Sequence, residues 1–222
     1  MPKNPKPILF IGAGGIVRSA HIPAYTEKGY KIAGVYDVVT KAAQSLAHDF
    51  AIPCHFETIK EASKMKDVVF DIAVPADQII NVLKQLPDRA TVLIQKPMGR
   101  DLREASRILA LCQIKKLIAA VNFQLRFAPN MLVLQNKIAQ KKLGEIIDVE
   151  VRIRTNTPWS DWKFLRGIPR LEILYHSIHY IDLLRSCFGE PIAIWASADE
   201  DASFKGYADT RTMAHLTFAG GI

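Results

Sequence analysis

Residues Gly12-Ala13-Gly14-Gly15-Ile16-Val17 have the types and spacing to hold a pyrophosphate. They follow an apolar run, Pro7 to Ile11, and precede a helix-like stretch, Arg18 to Glu27. Gly12 permits a tight turn, and Gly14 lets the backbone approach phosphates with no Cβ in the way. The N–H groups at a helix start favour an anion, so Gly12, Gly14, Gly15 and Ile16 are candidate cofactor contacts. Val17 stands where the full dinucleotide fingerprint has Gly or Ala. A second apolar run, Lys31 to Tyr36, ends on Asp37, close to the separation of about 20 residues at which a carboxylate accepts from the adenosine ribose hydroxyls. A carboxylate there repels a 2′-phosphate, which predicts NAD in preference to NADP, and Lys41 one turn further on softens that preference. The alternative is an ordinary strand-to-helix turn, with Asp37 capping the next helix.

A second set of chemistry-bearing residues lies near the other end. Imidazole titrates near neutral pH, which makes His179 a candidate acid–base group. At about 3.6 residues per turn, Tyr175, His179 and Asp182 share one stripe of a helix, with Glu172 one turn earlier and His176 beside the stripe. The alternative is that both histidines pack or cap an amphipathic helix. Metal ligation by Glu172, His176, His179 and Asp182 is disfavoured, because there is no His-Glu-x-x-His, no second ligand-rich helix and no cysteine support; no metal is expected. Just before this helix, the segment Asn156 to Arg166 carries Trp159 and Trp162, whose faces suit the C–H surface of a sugar ring. Arg126, Arg166 or Arg170 could bind hydroxyls or an acidic substituent. The alternative is a hydrophobic loop packed on a sheet or on another subunit.

The elements that position these residues follow from the apolar pattern. Strand-like runs at 7–11, 31–36, 53–56, 68–74, 91–95 and 117–122 alternate with helical stretches near 16–27, 39–49, 58–64, 77–86 and 101–114. That alternation requires a parallel sheet covered by helices, and runs such as Val68 to Val74 suit strands buried on both faces. Ligands in such sheets bind beyond the carboxyl ends of the strands, so Val74, Pro75 and Gln95 are candidates to frame the nicotinamide end. Past Phe127 the pattern changes. Residues 145–154 alternate apolar and charged side chains, as a strand with one wet face does, followed by a long helix from about 170 to 187 and strand candidates at 191–199 and 210–218. The expected architecture is α/β, a doubly wound parallel sheet over 1–122 followed by an α+β domain over 123–222 with a mostly antiparallel sheet. A final strand running into Gly220-Gly221 would leave an edge unpaired, which suggests a truncated second domain.

Further motifs are Ile94-Gln95-Lys96-Pro97-Met98-Gly99 after the fifth strand, Asn122-Phe-Gln-Leu-Arg126-Phe-Ala-Pro129 after the sixth, His21-Ile-Pro-Ala24 and His179-Tyr-Ile-Asp182. Together with the glycine turn they resemble the Gfo/Idh/MocA (glucose-fructose oxidoreductase, inositol dehydrogenase) family over nearly the whole chain. Its usual Glu-Lys-Pro is Gln95-Lys96-Pro97 here, which keeps a hydrogen-bonding side chain and removes a charge. The resemblance implies an N-terminal Rossmann domain and an NAD(P)-dependent oxidoreductase acting on a secondary alcohol of a sugar, sugar acid or cyclitol. It places Lys96 beside the nicotinamide and the reacting hydroxyl. An ammonium near that oxygen stabilises a developing alkoxide, and His179 exchanges the proton with Tyr175 assisting. The family carries Asp at the Tyr175 position and often Gly at Ser177. These departures motivate the alternative function, a non-catalytic dinucleotide-binding regulator. The resemblance also implies a homodimer or homotetramer.

Composition excludes several classes. Of 222 residues, 49% are apolar, an ordinary share for a globular chain with a sizeable core. The net charge of +7 is scattered, with no aromatic-interleaved basic stripe, so no nucleic-acid partner is expected. No apolar run reaches the roughly 20 residues that span a bilayer, so no membrane association is expected. Cys54, Cys112 and Cys187 are widely spaced, which fits free thiols and a cytoplasmic location.

Overall fold

The computed structural model describes residues 3–222. The chain divides after Asn122 into two compact units. In the first, β1 (Ile8–Ile11), β2 (Ile32–Tyr36), β3 (His55–Phe56), β4 (Val69–Ile72), β5 (Thr91–Ile94) and β6 (Ile118–Val121) form one sheet in the order β3-β2-β1-β4-β5-β6. Every neighbouring pair runs parallel. Crossovers carry α1 (Ile22–Glu27), α2 (Thr40–Asp49), α3 (Ile59–Ala62), α4 (Ile79–Gln85) and α5 (Leu102–Ile114). α1 is entered through a π-wound turn, Val17–His21.

The centre of the sheet is apolar on both faces because helices cover both. All four residues of β1 are buried, and successive side chains point to opposite sides. Leu9 and Ile11 join a core with Leu83 and Ile108, whereas Ile8 and Phe10 join one with Val17 and Leu46. Strand order reverses between β1 and β4, and the carboxyl ends of the strands on either side of such a reversal form the ligand crevice of doubly wound sheets.

The second unit begins with a short turn, Gln124–Phe127, and α6 (Pro129–Ala139), started by a proline whose missing N–H costs nothing at that position. A π-wound turn, Ile173–Ser177, leads into α7 (Ile178–Phe188). β7 (Pro191–Asp199) and β8 (Arg211–Phe218) pair antiparallel, with Trp195 opposite His215. The strand expected over 145–154 is not formed: residues 145–158 carry no assigned element. Its apolar positions, Ile147, Val149, Val151 and Ile153, all remain exposed. Alternation describes the faces of an extended segment, but a strand also needs a hydrogen-bonded neighbour, and β7 and β8 pair only with each other among the described residues. The sheet of the second unit therefore has two strands rather than three. No helix among the described residues is long and apolar enough to cross a membrane.

Candidate active site

The carboxyl edge of the parallel sheet presents its polar groups in a fixed order. Asp37 follows β2, the glycine turn follows β1, Val74 and Pro75 follow β4, and Gln95 and Lys96 follow β5. Adjacent strands lie about 4.8 Å apart, so the edge from Asp37 to Lys96 spans roughly 14 Å. Gly12 has φ +114°, and a Cβ there would lie 2.3 Å from the carbonyl oxygen of Ala73. The turn can therefore pass only as glycine. Gly14 and Gly15 differ: they are exposed, and a Cβ on either would meet no atom within 4 Å. Ile16 is exposed beside them, while Val17 is fully buried in the core between sheet and helices. Asp37 reaches back to the turn, its Oδ2 accepting from Ala13 N–H at 2.7 Å and its Oδ1 from Val39 N–H at 2.8 Å. It thus latches the glycine turn to β2 and caps the following chain at once.

Lys96 lies at the end of β5. Burial pushes its ammonium down from near 10.5 to about 8. The sign for stability follows from the proton count. Between about pH 8 and 10.5 the unfolded chain binds the proton that the folded one has released, so stability rises with pH there; below pH 8 the full cost of burying the charge is present. Lys96→Met is therefore expected to be more stable at pH 7 by on the order of 1–3 kcal/mol, discounting for the part of the side chain that stays wet. Its advantage should fade by about pH 10, and thermal melts at both pH values check this.

Behind Lys96 runs a chain of buried polar groups that sequence reasoning missed. Asp71, in the middle of β4, is 1% exposed, and His21, at the end of the π-wound turn, is 8% exposed. Asp71 Oδ2 lies 3.0 Å from His21 Nδ1 and 2.9 Å from the Tyr25 hydroxyl. Gln95 Nε2 lies 2.8 Å from His21 Nε2, and Gln95 Oε1 accepts from the Lys96 backbone N–H at 2.9 Å. The signal was present: a lone carboxylate inside an apolar strand must find donors, and His21 and Tyr25 stand four apart on one helical face. Asp71→Ala leaves one buried donor, on His21, and one half-buried donor, on Tyr25, unmatched and is expected to cost about 3 kcal/mol in urea unfolding.

In the second unit the π-wound turn rearranges the stripe that regular helical spacing predicts, because it sets residues five apart over one another. Ser177 accordingly donates to Glu172 at 2.8 Å. Asp182 is taken by Arg126, whose Nε donates to Oδ2 at 2.7 Å, with Nη2 bonding Oδ1 as well. His179 meets the Phe123 ring edge-on, and Tyr175 packs on a small core of Trp159, Leu165, Leu171 and Tyr207. Trp159 is 3% exposed and stacks on His176 with ring centroids 4.8 Å apart; Trp162, 38% exposed, meets Trp159 edge-on. A cavity of about 690 Å³ is lined by Trp159, Glu172, His176 and Arg211 among others. A smaller one of about 320 Å³ adds Trp162, His179 and Tyr180. No three His, Cys, Asp or Glu side chains among the described residues are grouped to hold a metal ion.

Residues 6–123 match the family model for Gfo/Idh/MocA oxidoreductases with an NAD-binding Rossmann fold, and residues 131–222 match the Gfo/Idh/MocA C-terminal domain. Glucose-6-phosphate 3-dehydrogenase of Bacillus subtilis strain 168 is 28% identical over 159 residues, which are 72% of this chain and 45% of that protein. The WlbA dehydrogenase from Bordetella pertussis, solved in complex with NADH and UDP-GlcNAcA, aligns with a TM-score of 0.79 at 20% identity, covering 97% of this chain and 67% of that one. The UDP-N-acetylglucosamine 3-dehydrogenase GnnA from Acidithiobacillus ferrooxidans aligns at 0.75 and 22% identity, over 98% and 67% of the two chains. This chain therefore matches less than half the length of the curated relative and about two thirds of each structure. With both family domains matched in order along it, the chain belongs to the Gfo/Idh/MocA oxidoreductase family.

Proposed function

We propose that the chain is an NAD-dependent oxidoreductase acting on a secondary alcohol of a sugar, sugar acid or cyclitol. The observation that carries this reading is the order along the carboxyl edge of the sheet: carboxylate, glycine turn, apolar pair, amide and half-buried lysine. NAD, when bound, supplies the hydride acceptor. The residues fit it: Gly14 and Gly15 leave room for phosphate oxygens against the backbone, and each Asp37 oxygen keeps a second lone pair for a ribose hydroxyl. Ile16, Val74, Pro75 and Gln95 flank the dinucleotide. The Asp37 charge disfavours a 2′-phosphate and so supports NAD over NADP.

Lys96 polarises the substrate oxygen as an ammonium. Its burial strengthens that field, because a charge in a low-dielectric site acts on a developing alkoxide with little screening. His179 takes up or returns the hydroxyl proton, with Tyr175 assisting, and Trp162 and Arg126 belong to the substrate side, whereas Trp159, 3% exposed and stacked on His176, supports that side from the core instead of offering a face to the sugar. The names of the relatives, which refer to glucose 6-phosphate and to UDP-linked sugars, support a sugar hydroxyl as the reacting group. Self-association into a dimer or tetramer is part of the same reading. It is supported by the exposed Ile192, Ile194, Trp195 and Met213 of the two-stranded sheet, and light scattering reads it directly.

The test is a screen of sugars, sugar acids, cyclitols and their phosphates with NAD or NADP, following reduced cofactor by absorbance. Turnover with NAD and at least one of these alcohols is expected. A folded protein that binds NADH and turns over none of them would favour the non-catalytic regulator instead.

A further inference from the structure

The backbone that carries Lys96 is itself held by a side chain. Gln95 Oε1 accepts the Lys96 N–H, and the same amide turns its nitrogen toward His21 Nε2. An amide nitrogen has only protons to offer, so His21 Nε2 must present a lone pair. Rotating the amide by half a turn would set its nitrogen against the Lys96 N–H, donor against donor. The main chain therefore orients the amide, and the amide selects the state of the imidazole. The ring proton is then on Nδ1, donated to Asp71 Oδ2. Asp71 cannot be the donor in that contact, because an imidazole accepting at both nitrogens would carry no proton at all. Tyr25 supplies the second donor to Oδ2, and burial, reinforced by the Asp71 charge, pushes its phenol well above the usual range, so it stays protonated. Asp71 Oδ1 is buried with no hydrogen-bond partner among the described residues, which leaves both donors on Oδ2.

We infer that His21 is a positioning residue for Lys96: an uncharged imidazole, protonated at Nδ1, that ties the Asp71 carboxylate in β4 through Gln95 to the Lys96 backbone. The positioning role rests on the function proposed above for Lys96. The amide at position 95 is what keeps the ring uncharged. A carboxylate there would offer Nε2 only lone pairs, and the ring would need a second proton to bond both neighbours.

Proton–nitrogen correlation spectra of the full chain with labelled histidine read the ring directly. At pH 7 the wild type should show His21 with a proton on Nδ1 and a bare Nε2, and Gln95→Glu should show protons on both. An Nε2–H ring or a doubly protonated ring in the wild type overturns the inference, and so does a Gln95→Glu ring unchanged from wild type. His21→Ala should lower kcat about 10- to 100-fold while NADH affinity changes by less than about threefold, because a small displacement of Lys96 acts on the reaction more than on cofactor binding. Unchanged kcat in that variant removes the positioning role. If His21→Ala does not fold, Gln95→Glu kinetics take its place with the same two outcomes. Wild-type protein that never turns over defeats the dehydrogenase reading together with the positioning role, while the protonation state is decided by the spectra alone.

Discussion

Lys96→Ala is expected to lower kcat by about 10³-fold, with NADH affinity held within about threefold of wild type. Under the proposed function the two effects separate, because the ammonium would meet its strongest partner only as the substrate oxygen gains negative charge, whereas the glycine turn and Asp37 would hold the dinucleotide. In the proposed reaction the protonated lysine is the active form, and burial lowers its pKa to about 8. Turnover should therefore fall as pH rises through that value. Lys96→Arg keeps a charge that cannot be removed in this range, so its lower rate should show no decline near pH 8. A Lys96→Ala enzyme with normal turnover, or a Lys96→Arg enzyme that loses rate at the same pH as wild type, would remove the lysine from the chemistry.

Gly12→Ala should be among the most damaging single-methyl changes in the chain. The backbone there has φ +114°, and the new Cβ would press to 2.3 Å from the Ala73 oxygen and 2.9 Å from the Ala73 carbon. Both atoms are backbone at the end of β4, so the clash can be relieved only by moving one strand of the sheet against another. Strain and overlap together should cost about 3–5 kcal/mol, roughly 10 °C in Tm for a chain of this size. Gly15→Ala is the internal control. It adds the same methyl group where no atom lies within 4 Å and should melt close to wild type. Equal melting temperatures for the two variants would contradict this account of the turn.

The first unit was legible because its central strands, β1 and β4, are buried on both faces. Runs such as Ile8-Leu9-Phe10-Ile11 admit few other readings, and the glycine turn and Asp37 fall at the ends of β1 and β2, where their spacing puts them. The order of strands in the sheet follows from crossovers and pairing, which local pattern does not encode. Residues 145–154 misled because alternation reports which sides of an extended segment differ, without reporting whether a neighbour is there to pair. Regular spacing holds for His179 and Asp182, which both lie in α7, but the π-wound turn Ile173–Ser177 shifts the face before them and gives Glu172 to Ser177, while Asp182 pairs with Arg126. The His21–Asp71–Gln95 chain escaped because its members lie 50 and 74 residues apart in sequence. Asp71 was absorbed into an apolar run whose burial is the very reason the carboxylate needs those partners.

The central claim is that the carboxyl edge of the first sheet holds a dinucleotide. Fluorescence titration with NADH, and separately with NADPH, tests it most directly when wild type is compared with Gly14→Val. That substitution meets no protein atom within 4 Å of its Cβ but would occupy the space next to the backbone where phosphates are expected. The account predicts saturable NADH binding by wild type, weaker NADPH binding because of Asp37, and at least a tenfold loss of NADH affinity, about 1.4 kcal/mol, in a Gly14→Val protein that melts like wild type. A folded wild-type chain that binds neither nucleotide, or a Gly14→Val variant that binds NADH as well as wild type does, would contradict it.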